Sequence, residues 1–146
     1  MFRVKQDIYE AIGKPDMRTP EGFLQALRDA KAKFPTINGK PLLPFRTSEF
    51  TDHGTDGLQN GLCDFLAIPY QVEGKVIDRI QDPEWVRWMK TFRQAASEGL
   101  ITSDFFTDNY AKYSENELQG RYFAIMASPG TSKQQAWNEG VRYIPI

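Results

Sequence analysis

Apolar residues recur at helical spacing in some stretches of the chain and gather into short continuous runs in others. Val4, Ile8 and Ile12 share a stripe in VKQDIYEAI, which Gly13 and Pro15 stop, so a helix is predicted over residues 4–12. Phe23, Leu27, Ala30 and Phe34 form a second stripe, predicting a helix over 20–34 that Pro35 ends. Thr19 is placed to cap it, Pro20 fits the first helical position, and Glu21 suits the positive helix end. Asp82-Pro83-Glu84 repeats that signature ahead of Trp85, Met89, Phe92 and Ala96. Trp88 and Ala95 widen this stripe, and Gly99 closes a predicted helix over 82–98.

The continuous runs PLLPF (41–45), RYFAIMAS (121–128) and VRYIPI (141–146) read as buried strands. Two prolines confine the first to a short or terminal stretch of ladder. Asn38-Gly39 is turn chemistry, and Glu73-Gly74 between IPYQV and KVIDR predicts a hairpin. Shorter helices are expected over 57–67, 111–120 and 129–140, the last started by Ser128 and Pro129. Helices alternating with short apolar strands predict an α/β fold with a small, mainly parallel sheet flanked by helices.

Composition narrows the function classes. With 146 residues, 40% of them hydrophobic, the chain has the material for one domain with a real core. Eighteen Lys+Arg against nineteen Asp+Glu leave a formal charge of −1, so no global field draws nucleic acid or anionic lipid, and nucleic acid is not an expected partner. The single Cys63 excludes an intrachain disulfide and a multi-thiolate metal site, and the single His53 excludes a His-rich centre. No metal or cofactor is expected. No apolar run approaches the ~20 residues of a membrane-spanning helix. The opening MFRVKQDIYEAIG lacks the apolar segment and small-residue cleavage site of a secretory signal.

Chemistry-bearing residues are few. Cys63, within LCDFLA, reads as a buried inert thiol. His53, between Asp52 and Gly54, is a loop residue with no oriented nucleophile in view. Glu49 with Asp52 or Asp56 offers an acid/base pair for glycoside hydrolysis, although nothing sets their separation. GKP (39–41) and GKV (74–76) lack phosphate-loop spacing, and no dinucleotide fingerprint follows a strand. Two loops stand out by position, because open α/β sheets bind ligands beyond the carboxyl ends of their strands. The loop after PLLPF supplies Arg46, Ser48, Glu49 and Phe50. The loop after RYFAIMA supplies Ser128, Gly130 and Thr131 with backbone N–H groups. Together they suit a hydroxyl-rich ligand, with Phe50 offering an apolar face; two ordinary loops are the alternative.

Four segments, IYEAIGKPDMRTPEGFLQALRDAKAKFP, YQVEGKV, DPEWVRWMKTFRQAASEGLITSDFF and YSENELQGRYFAIMASPG, stand in an order that resembles a known family. The chain is similar to the C-terminal lobe of a family 1 extracellular solute-binding protein, the substrate-capturing subunit of bacterial ABC sugar importers. The resemblance runs across nearly all of the chain. It implies a periplasmic-binding-protein-like lobe, one of two, with the N-terminal lobe and C-terminal helices lying outside residues 1–146. It implies a carbohydrate ligand, ABC permease subunits as partners, and an extracytoplasmic place, as for periplasmic and lipoprotein members. It implies no enzymatic step. Matched position by position, Arg46, Ser48, Glu49 and Phe50 fall in the ligand loop after the lobe's first strand. Ser128, Pro129, Gly130 and Thr131 fall in the later loop, where relatives often carry an aromatic and this chain has Thr131. Gly22 replaces an expected acidic residue, and FPTINGKPLL lacks the acidic loop that binds calcium in some relatives.

Helical spacing accounts for Trp85 in the core stripe and Trp88 at its edge, and Trp137 is likewise read as structural rather than as a sugar platform. An isolated lobe would expose apolar surface, so marginal stability or self-association is expected. Two rival functions stay open at this stage: a glycoside hydrolase using Glu49 and a nearby Asp, and a protein-interaction module.

Overall fold

The protein is described by a computed structural model over residues 2–47, 56–126 and 134–146. β1 (Phe2–Lys5) leads into α1 (Gln6–Ala11) and α2 (Pro20–Lys33). A small hairpin, β2 (Thr36–Ile37) and β3 (Lys40–Pro41), precedes β4 (Leu43–Thr47). α3 (Asp56–Phe65) is followed by a second hairpin, β5 (Gln71–Val72) and β6 (Lys75–Val76), and by α4 (Pro83–Ser97). α5 (Tyr110–Leu118), β7 (Tyr122–Met126), α6 (Gln134–Asn138) and β8 (Tyr143–Pro145) complete the order.

The expected caps form. Thr19 Oγ1 accepts from the Gly22 backbone N–H at 3.1 Å at the start of α2. Asp82 Oδ1 accepts from the N–H groups of Glu84 and Trp85 at 2.9 and 3.3 Å at the start of α4. Both turns follow their chemistry too: Asn38-Gly39 and Glu73-Gly74 all take positive φ, which lets two-residue loops follow the strand twist.

The main sheet has the order β4-β7-β1-β8. β4 pairs with β7 in parallel, Leu43 opposite Tyr122 and Thr47 opposite Met126. β1 pairs antiparallel with both β7 and β8. The three strands read from sequence therefore run in one direction, and β1 enters between two of them in the opposite sense. The architecture is mixed α/β, a small sheet with helices on its faces.

β1 corrects the expected helix over 4–12. Phe2 and Val4 enter the main core, while Arg3 and Lys5 are buried on the opposite face. A strand covered on both faces satisfies its backbone through two neighbours, which the isolated helical stripe of Val4, Ile8 and Ile12 could not anticipate. PLLPF is likewise divided: Pro41 ends the small hairpin, and the sheet strand starts at Leu43.

The main core lies between one face of the sheet and α2, α3 and α4, where Phe23, Leu27, Leu62 and Phe92 join Phe2 and Phe45. Trp88 sits at its centre, with no exposed surface and its ring 5.5 Å from those of Phe23 and Phe65. This reverses the expected roles of the two tryptophans, since Trp85 is only half-buried and Ala96 is exposed. The inward face of α4 is centred on Trp88, Phe92 and Ala95. The other sheet face packs Tyr122, Ile125 and Tyr143 against Tyr113 of α5.

Candidate functional site

Strand register decides where the two predicted loops start. β4 and β7 run in parallel with Thr47 beside Met126, so the two strands end side by side at one edge of the sheet. Phe2 lies opposite Met126, and the Ile146 N–H donates to Phe2 O at 3.0 Å, which brings the start of β1 and the residue after β8 to that edge as well. Four strand ends thus converge where an α/β sheet ordinarily receives a ligand.

Of the predicted site residues, Arg46 falls among the described ones. Ser48, Glu49, Phe50, Ser128, Gly130 and Thr131 lie outside the described residues, as do Asp52 and His53. Arg46 is 2% exposed. Its Nη1 donates to the Asp104 carbonyl at 2.9 Å and its Nη2 to the Asp108 carbonyl at 3.3 Å. Two guanidinium donors therefore fasten the 3₁₀ turn Ser103–Phe106 and the start of the next connection against β4. Asp56 heads α3, and Cys63 is buried, with burial pushing its thiol pKa upward.

A cavity of about 350 Å³ opens beside this edge. Its floor is apolar: Phe2, Met17, Phe65 and Ile146. Tyr9, Lys14, Asp16 and Arg18 form the rest of its lining among the described residues. Asp16 is tied to Arg18 by two side-chain contacts, both 2.9 Å, and the guanidinium's hydrogen bonds hold its carboxyl down at about 2. The Tyr9 hydroxyl donates to Pro15 O at 3.0 Å. Sequence reasoning missed this cavity because its walls come from four separate places in the chain, none with a local motif.

The three tryptophans answer differently. Trp88 is core and Trp85 half-buried, while Trp137 is exposed with the Arg142 guanidinium 4.8 Å from its ring centre. Among the described residues, no group of three or more His, Cys, Asp or Glu side chains is placed to hold a metal ion.

No family model matches the chain, and a search of curated proteins finds no match. The solved structures do provide matches. A protein provisionally described as a binding protein, MsmE from Bacillus subtilis subsp. subtilis strain 168, crystallised in an open conformation, matches 99% of this chain with a TM-score of 0.67 and 18% identity. The chain shares the fold of part of that protein. It spans 37% of the length of that neighbour. Among the described residues, no helix is long and apolar enough to cross a membrane.

Proposed function

We propose that this chain is a ligand-contacting lobe of an extracytoplasmic solute-binding protein of the family 1 kind, which takes a carbohydrate and hands it to an ABC permease. The observation that carries the reading is the convergence of the β4 and β7 ends at one sheet edge, within a fold that matches a binding protein along almost its whole length. The residues following those ends, Ser48, Glu49 and Phe50 on one side and Ser128, Gly130 and Thr131 on the other, supply hydroxyl, carboxylate and aromatic groups suited to a sugar. Arg46 holds the strand end and the 104–108 segment together. No bond is made or broken in this function. Affinity comes from closing a second lobe over the ligand, which desolvates its hydroxyls against fixed partners.

One lobe presents one wall, so its own affinity is low and needs a method that reads weak binding. Titration of the isotopically labelled chain with mono- and oligosaccharides, followed by amide NMR shifts, is expected to move residues 46–50 and 126–131. Shifts confined to other surfaces would overturn the reading. So would turnover of a chromogenic glycoside that Glu49→Gln abolishes, which would favour the hydrolase instead.

A further inference from the structure

We propose that the cavity floored by Phe2, Met17, Phe65 and Ile146 is a binding site for a small apolar carboxylate. Among the described residues, Arg46 and Thr47 at the β4 end and Met126 at the β7 end do not line this space.

Its size is the first argument. At about 350 Å³ it is far larger than the voids of close-packed interiors and falls within the ~300–1,000 Å³ of small-ligand pockets. The floor is also held in place. The Phe2 ring lies 4.8 Å from that of Phe65 and 5.0 Å from that of Phe23, and Phe2 and Met17 are themselves almost fully buried. Collapse of the floor into the space would require those rings to leave their packing.

Charge at the mouth decides the class of ligand. Asp16 and Arg18 are committed to each other by a bidentate pair. Lys14 has a looser tie, 3.5 Å from Glu10 Oε1, with a side chain 62% exposed. Its backbone is set by the end of α1, where the Gly13 N–H bonds Glu10 O and the Lys14 N–H bonds Tyr9 O, and both residues take positive φ. The left-handed turn thus carries an ammonium to the rim of an apolar space. Of the described lining side chains, Lys14 and Arg18 stand against the one carboxylate of Asp16, and Glu10, the partner of Lys14, lies outside the lining. A hydroxyl-rich ligand would bury its hydroxyls against Phe2, Met17, Phe65 and Ile146, which offer them no side-chain partner. An apolar body with one carboxylate satisfies both the floor and the rim.

The test uses 2-naphthoate and its neutral analogue 2-naphthalenemethanol on the whole chain, by fluorescence titration and amide NMR shifts. Naphthoate is expected to bind one-to-one, at least fivefold more tightly than the alcohol, and to shift residues 9–18 and Phe65. Lys14→Gln is expected to weaken naphthoate about fivefold and leave the alcohol unchanged. Filling the space with Ile146→Trp, or independently with Phe65→Trp, is expected to abolish binding of both probes. Equal affinities for the two probes would overturn the proposal, as would shifts centred elsewhere or binding that survives a filled variant with a native circular-dichroism spectrum. Lys14 is exposed on the rim, so its variant reports on binding even if a filled variant fails to fold.

Discussion

Arg3 Nη1 and Glu117 Oε1 lie 3.2 Å apart between β1 and α5, their side chains 8% and 3% exposed. Arg3 Nη2 also donates to the Tyr113 hydroxyl at 3.4 Å. The pair fixes α5 over the sheet face opposite the main core, where Tyr122 and Tyr143 surround it. Removing one partner strands the other charge without solvent, which for a buried pair costs roughly 3–5 kcal/mol. Arg3→Met and Glu117→Leu are each expected to lower unfolding free energy by that amount in urea titration. The double variant is expected to recover most of it, because no charge is left buried. A double variant as unstable as the sum of the singles would show that the two side chains are not coupled.

Gly22 is a second point of close contact. A Cβ on it would lie 2.0 Å from the Asp16 carbonyl oxygen and 3.0 Å from Thr19 Oγ1. Intrinsic propensity favours Ala over Gly in a helix by about 1 kcal/mol. Backbone cannot yield as a side chain can, so Gly22→Ala is nevertheless expected to destabilise the protein and to shift the amide signals of residues 16–19. A variant more stable than the parent would mean that the connection before α2 moves freely. This contact also accounts for glycine where the resembled family carries an acidic residue.

The legible parts of the fold are those where local chemistry and tertiary burial agree. Thr19-Pro20 and Asp82-Pro83 announce α2 and α4 because a cap is made within its own first turn. Asn38-Gly39 and Glu73-Gly74 announce hairpins for the same reason. β1 was illegible because Arg3 and Lys5 look solvent-facing until Glu117 and Asp7 are brought to them. Trp88 exchanged roles with Trp85 because the stripe of α4 is broad, and only the position of Phe2, Phe23 and Phe65 selects its centre. For the site, strand order placed Arg46 at the correct edge, but its bonds to the carbonyls of Asp104 and Asp108 span about sixty residues and leave no trace in spacing.

Surface pairs make stability fall in acid. Arg28 donates to both carboxylate oxygens of Glu98, at 2.7 and 2.6 Å, and holds its carboxyl at about 2 rather than the usual 4.5. A carboxyl depressed in the folded state stabilises the protein above its unfolded value, and the contribution is lost as pH falls from about 4.5 toward about 2. Asp16, held down by Arg18, acts in the same direction from 3.8 toward about 2. Chemical denaturation between pH 6 and pH 2 (roughly the span set by those shifts) is expected to show this loss, with a shallower acid limb in Glu98→Gln. At the other end, burial raises the phenol pKa values of Tyr113 and Tyr143 above the ordinary 10, so stability is expected to fall again once unfolded tyrosine ionises there.

Arg46 offers a test of what holds the end of β4 to the 103–109 segment. It is the buried end of β4, opposite Ile125 of β7, and two of its donors leave the sheet to reach the carbonyls of Asp104 and Asp108. Those bonds join the strand end to a segment that has little regular structure of its own beyond one 3₁₀ turn. Hydrogen bonds from a charged donor contribute roughly 1.5–3 kcal/mol. Arg46→Ala is therefore expected to cost about 2–3 kcal/mol and to raise amide exchange selectively over residues 103–109. Arg46→Lys keeps the charge but replaces a planar fork with a single nitrogen, which cannot reproduce both bonds in their present geometry. It is expected to recover only part of the stability and little of the exchange protection. If Lys restores both in full, charge alone holds the segment and the fork geometry is immaterial. If neither variant changes exchange at 103–109, the segment is held by other contacts, and the role given to Arg46 fails with it.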